Sequence, residues 1–277
     1  MVFLECTFRL SPFEPFNEIL IAQLAEIGYD SFQEEDPLLK AYIEKDEFSE
    51  EQLNSLISDY EGVEFEGAEE MEQINWNEEW EKNFQPLSID TFCHIRAPFH
   101  PKKEGFEHEL IIEPKMSFGT GHHATTRGMI RLMRDVDWSV NAVADLGSGT
   151  GILAILASKM GAISIYATDI EEWAYENMQE NFERNACPSI ISIQGSLPLE
   201  ELNNKEFDLV LANINKNVLL EQIPLYAKML KPNGILMLSG FYSNDLNDIK
   251  SKCTESALSS IMETVEEDWM AVAFKKS

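Results

Sequence analysis

Residues 143–153 read Val-Ala-Asp145-Leu-Gly147-Ser-Gly149-Thr-Gly151-Ile-Leu, an apolar strand that ends in an acid, breaks into a glycine-rich turn and opens a helix. Glycines there let the backbone take positive φ and approach a ligand closely, and the helix N-terminus offers free N–H groups. A dinucleotide site wants glycines spaced G-x-G-x-x-G, whereas this chain has G-x-G-x-G with Ile152 where the third fingerprint glycine belongs. Asp145 would repel a pyrophosphate but suits the cationic amino-acid end of S-adenosylmethionine. The turn therefore favours S-adenosylmethionine over a nicotinamide cofactor.

A second acid extends the unit. The run Ile163-Ser-Ile-Tyr-Ala-Thr168-Asp169 follows a helix over 153–160 and ends in a carboxylate able to accept from both ribose hydroxyls. Such an acid follows both kinds of cofactor loop, so Asp169 indicates ribose without choosing between them. It equally suits a helix cap ahead of Glu171 and Glu172.

Composition narrows the class. The chain has 277 residues, 44% of them hydrophobic, enough for one large or two unequal domains. No run approaches the roughly 18 apolar residues of a membrane span, and Glu5 and Arg9 replace the pattern of a signal segment, so a cytoplasmic location is expected. Cys6, Cys93, Cys187 and Cys253 are scattered without a C-x-x-C pair, against zinc and against a disulfide framework. A formal net charge of −28 repels phosphate backbones and attracts basic partners, or serves solubility alone. Free nucleic acid is thereby disfavoured as a substrate, and a lysine-rich protein is favoured.

Along the chain, residues 1–70 read as a unit of their own: a strand at 3–10, a helix from Ser11-Pro12 to about Ile27 closed by Gly28, strands at 31–35 and 38–44, a helix at 50–59 capped by Ser49, and a last strand at 63–65. This βαββαβ order suggests a ferredoxin-like α+β domain. Trp76, Trp80 and Phe84 then fall at i, i+4 and i+8, one stripe of a linking helix over 71–86. From residue 87 to 277 strands and helices alternate, with strands at 87–92, 94–97 and 108–113 preceding a helix at 126–133. That alternation implies an α/β domain with a doubly wound parallel sheet. Two β-like runs at 260–266 and 270–275 fit an antiparallel C-terminal edge.

With Phe118-Gly-Thr-Gly-His-His-Ala-Thr-Thr126, the glycine turn, Asp169 and Leu211-Ala-Asn213-Ile in this order, the chain closely resembles the bacterial methyltransferases of ribosomal large-subunit protein eleven. The likeness covers essentially the whole chain. His122 and Ala124 depart from the family's threonine and proline in that loop. The resemblance implies a Rossmann-like class I methyltransferase fold and S-adenosylmethionine bound through Thr126, Gly147, Asp169 and Asn213, to which the turn adds Asp145, Gly149 and Gly151. It also implies methylation of lysine ε-amines and an N-terminal α-amine on a basic ribosomal protein held by the N-terminal domain. Transfer from a sulfonium to nitrogen needs an unprotonated, well-aimed amine more than a strong base. Asn213 can accept from its N–H, and a neutral amide does so without stabilising the ammonium form. His122 and His123 are adjacent, project differently and have no carboxylate or cysteine at ligand spacing, so hydrogen bonding within the loop is favoured over metal. The competing readings keep the cofactor but direct it to a small molecule or nucleic acid, or make the chain a non-catalytic binding module.

Overall fold

The computed structural model describes residues 2–71, 84–115, 118–136 and 139–277. The chain divides into two compact units, residues 1–83 and 84–277. Of the linking helix expected over 71–86, residues 72–83 with Trp76 and Trp80 lie outside the described residues, and 84–86 are not helical.

In the first unit the order is β1 (Phe3–Leu10), α1 (Phe16–Glu26), β2 (Ser31–Glu35), β3 (Leu38–Glu44), α2 (Glu50–Ile57) and β4 (Val63–Glu70). The strands form one antiparallel sheet in the order β2-β3-β1-β4. Alternation along β1 buries Leu4, Cys6, Phe8 and Leu10 against Leu20, Leu24 and Leu53 of the helices. α1 begins at Phe16 rather than at Ser11-Pro12, because Pro15 occupies its N-cap. β4 continues to Glu70, well past the expected 63–65, because pairing with β1 holds its low-propensity Gly and Glu residues extended through a bulge.

The second unit opens with a small sheet, β5 (Leu87–Ile89), β6 (Cys93–Arg96) and β7 (His108–Ile111). It continues with α3 (Ala124–Asp135), β8 (Ala142–Leu146), α4 (Ile152–Lys159), β9 (Ser164–Asp169), α5 (Glu172–Arg184), β10 (Ile190–Gln194), β11 (Phe207–Asn213), α6 (Lys216–Met229), β12 (Leu230–Tyr242), α7 (Leu246–Glu255), β13 (Leu258–Glu266) and β14 (Trp269–Lys276). The seven-stranded sheet runs β10-β9-β8-β11-β12-β14-β13. Its first five strands are parallel, and β14 and β13 form the antiparallel edge. One core packs under α3, α4 and α5, and the other under α6 and α7. The chain winds outward from β8 through β9 to β10, then returns to place β11 on the other side of β8. The tips of β8 and β11 thus flank the switch point, where an open α/β sheet leaves a crevice.

Candidate active site

The crevice is there. A cavity of about 370 Å³ is lined by Gly147, Gly149, Asp169 and Asn213 together with Phe118, His123, Thr125, Trp173, Gly240 and Trp269. A second, of about 360 Å³, continues over the tips of β9 and β10 along Ile170, Gly195 and Ser196, and shares Gly147, Asp169, Ile214 and Asn215 with the first.

The glycine turn is fixed from two sides. Gly147 and Ser148 both donate their N–H to Thr168 O at 2.9 Å, tying the turn to β9. Thr150 donates its N–H to Phe118 O at 2.9 Å and its hydroxyl to Gly119 O at 2.7 Å, tying it to the 118–121 loop. The two motifs read separately in the sequence therefore form one structure. Gly149 sits at φ 56, and a Cβ there would stand 2.2 Å from Phe118 O. No other residue type allows that approach.

Asp169 ends β9 as expected. Its Oδ2 accepts from Gly149 N–H at 2.9 Å and its Oδ1 from Glu171 N–H at 3.1 Å, so it steadies the start of α5 while still facing the cavity.

Three of the expected residues stand back from the cavity. Asp145 does not line the cavity. Alternation along β8 turns it, with Val143, to the face covered by α4, where it is 1% exposed. There it accepts from Ala154 N–H at 3.1 Å and from the Ser148 hydroxyl. Burial, with help from the charge of Asp169, pushes its pKa up to about 7 against those two hydrogen bonds. Gly151 is the left-handed N-cap of α4, and the atoms a Cβ would strike are the ring of Phe182, 2.5 Å away, and Met178. It serves helix packing. Thr126 is fully buried and stands behind the cavity, where its Oγ1 accepts from Asn213 Nδ2 at 3.4 Å, while Thr125 takes the lining position. α3 begins at Ala124, two residues before the expected start. Its cap is His123, whose Nδ1 accepts from Thr125 N–H at 3.3 Å.

Asn213 closes β11 at the cavity wall, 9% exposed. Its amide nitrogen is engaged by Thr126, yet its Oδ1 is buried with no hydrogen-bond partner among the described residues. A buried acceptor left open needs a reason, since desolvation without a bond costs about 1–3 kcal/mol.

Sequence reading missed the aromatic walls. Trp173 and Phe118 are about half exposed at the cavity. The His123 ring lies 4.7 Å from that of Trp269 and 5.1 Å from that of Phe118, and Trp269 packs on Tyr242 at 4.0 Å. Gly240 was missed too: a Cβ there would be 2.1 Å from Ile214 O, so this glycine lets β12 press against the turn after Asn213. Its register shift between Ser239 and Phe241 was invisible beforehand.

Residues 19–277 match the family model described as ribosomal protein L11 methyltransferase (PrmA). The chain belongs to this family. A ribosomal protein L11 methyltransferase from Phocaeicola vulgatus is 38% identical over 99% of each chain. One from Porphyromonas gingivalis is 40% identical over 94% of this chain and 91% of its own. The crystal structure of the ribosomal protein L11 methylase from Lactobacillus delbrueckii subsp. bulgaricus aligns with a TM-score of 0.63 at 27% identity, covering 70% of this chain and 99% of that one. The fold is that of the class I methyltransferases and the cofactor is S-adenosylmethionine. The cavity fits it: glycines at the switch point leave backbone room, an acid waits at the tip of β9, and Asn213 holds an open acceptor. Among the described residues no helix is long and apolar enough to cross a membrane, and no group of three or more His, Cys, Asp or Glu could hold a metal.

Proposed function

We infer that the chain methylates ribosomal protein L11, moving the methyl of S-adenosylmethionine to lysine ε-amines and to the N-terminal α-amine. The observation that carries this reading is the unpartnered Oδ1 of Asn213 in the wall of the cavity. When bound, the cofactor supplies an electrophilic methyl on a cationic sulfur that leaves as a neutral thioether.

The chain's own residues have three tasks. Gly147 and Gly149 give backbone access and Asp169 accepts ribose hydroxyls, while Thr126, Asp145 and Gly151 hold these groups from behind. Asn213 accepts from an amine N–H and so aims the lone pair. Phe118, His123 and Trp269 crowd water from that side of the cavity, and desolvation disfavours an ammonium relative to the neutral amine. A lysine with an ordinary pKa of ~10.4 needs that help.

Residues 1–70 are assigned to substrate recognition, 71–86 to the link and 87–277 to transfer. The β2-β3-β1-β4 order supports reading the first unit as ferredoxin-like. The chain's acidity favours a basic protein over nucleic acid, and a ribosomal protein as substrate fits a cytoplasmic enzyme.

The test pairs purified L11 with labelled cofactor and identifies modified peptides by mass spectrometry. Asn213→Ala should lower kcat by about 100-fold, the scale of a misplaced nucleophile, while cofactor affinity by calorimetry stays within a few-fold. Label in RNA instead of protein, or full turnover in the variant, would reject the assignment.

A further inference from the structure

The two aromatic walls of the cavity come from segments far apart in sequence. His123 and Phe118 belong to the loop before α3, and Trp269 to the start of β14. One side chain joins them. Arg127, in the first turns of α3, donates through Nη1 to His122 O on the loop. Through Nε it meets Glu266 Oε1 at 2.6 Å, and through Nη2 Glu267 Oε1 at 3.0 Å, both on the β13–β14 turn. Its side chain is only 13% exposed, so these contacts are poorly screened. Arg131, one turn further, also reaches Glu266 but not the loop.

The turn itself needs holding. Its two central residues, Glu267 and Asp268, have φ of 49° and 67°, the left-handed region that a two-residue hairpin turn requires and that Asn-Gly normally fills. Non-glycine residues persist there when their surroundings over-determine them. Here Arg127 grips Glu267, and Ser243 N–H donates to Asp268 O at 2.9 Å. Trp269 follows immediately, with its ring against His123 and Tyr242.

We propose that Arg127 is a positioning residue for methyl transfer: its guanidinium fork clamps the hairpin turn to the loop, so that Trp269 and His123 stand as one wall of the cavity that Asn213 also lines. The proposal rests on the assignment of this cavity to amine methylation. Arg127 makes no contact with the glycines of the cofactor turn and holds the loop at His122, beyond the Phe118 and Gly119 carbonyls that Thr150 binds, so its effect is expected on the acceptor amine. A lysine cannot replace it, because one ammonium lacks the planar fork that meets a carbonyl and two carboxylates together.

The test measures kcat and KM on L11, and cofactor affinity by calorimetry, for the full-length wild type, Arg127→Ala, Arg127→Lys, Glu267→Gln, Trp269→Ala and the Arg127→Ala/Trp269→Ala pair. Both Arg127 variants should lose about tenfold in kcat, within the range set by small misplacements near reacting groups. Cofactor affinity should stay within twofold. Glu267→Gln, which alters only an exposed partner, should lose two- to threefold and guards against a fold defect in the others. The double variant should be no slower than Trp269→Ala alone, because both act through one wall. Unchanged kcat in Arg127→Ala, full rescue by lysine, or additive losses in the double variant would each overturn the proposal. An inactive wild type that still binds cofactor would instead remove the amine-methylation assignment, and the proposal with it.

Discussion

The two units of this chain solve different physical problems with different residues. Residues 1–83 hold 23 Asp and Glu against four Lys and Arg, whereas residues 84–277 hold 26 against 17. Buried polar side chains distribute the other way: among the described residues Asn17 stands nearly alone in the first unit, while Thr125, Thr126, Asp145, Thr168 and Asn213 gather beneath the cavity of the second. Charge that works through solvent belongs on a surface, and hydrogen bonds that fix a reacting geometry belong where water is excluded. The distribution suits the proposed division, a first unit that attracts a basic substrate and a second that positions it.

If the units are so divided, damage to one core should spare the other's function. Phe8 is fully buried between the first sheet and its helices, against Phe65 at 5.3 Å. Phe8→Ala should destabilise that unit by about 3–5 kcal/mol, the usual cost of such a cavity. Calorimetry with S-adenosylmethionine should still give the wild-type affinity, while methylation of intact L11 collapses. Loss of cofactor binding would mean that the units stand or fall together.

The positioning unit should carry a pH signature. Asp145 has a pKa near 7 when folded and 3.8 as its ordinary value, so between those limits the native chain holds a proton that the unfolded chain releases. The stability this contributes is complete below about pH 4 and is lost as pH rises through 7. The span corresponds to roughly 4 kcal/mol at most. Asp145→Asn keeps an acceptor for Ala154 N–H without a titrating charge. The gap between its unfolding free energy and that of wild type, measured by denaturant from pH 4 to 8, should shift in the variant's favour as pH rises. A gap independent of pH would show Asp145 to be charged in the fold at all these values.

What could be read beforehand followed the same line. The glycine turn, Asp169 and Asn213 were legible because each depends on a few consecutive residues at a strand tip. The side on which Asp145 falls was legible in principle, since alternation pairs it with Val143, but a carboxylate beside a cofactor turn invites the ligand reading first. That Thr125 rather than Thr126 lines the cavity depends on where α3 begins, and nothing local announces that a histidine caps it. Trp173, Trp269 and Gly240 were out of reach for a deeper reason. They meet only once β9, β12 and β14 are in order, and the register shift that sets Gly240 against Ile214 is a property of the assembled sheet.

The smallest expected effect probes the attracting surface itself. Strand β1 turns Glu5 and Arg9 to the face opposite its buried residues, and β4 sets Glu69 and Glu64 beside them in register. Arg9 is matched by Glu66 and Glu5 by Lys40, so Glu64 and Glu69 carry the face's excess charge toward solvent. Exposed charges of this kind steer encounter more than they hold a complex, and their reach is about 10 Å at 0.1 M salt. Glu64→Gln with Glu69→Gln should therefore lower kcat/KM for L11 two- to fourfold at low ionic strength through slower association, leave kcat alone, and converge on wild type as salt is raised. Equal rates at every salt concentration would assign the acidity to solubility. A loss that persists in high salt would mean that these glutamates make short-range contacts, and the first unit would then be positioning its substrate much as the second does.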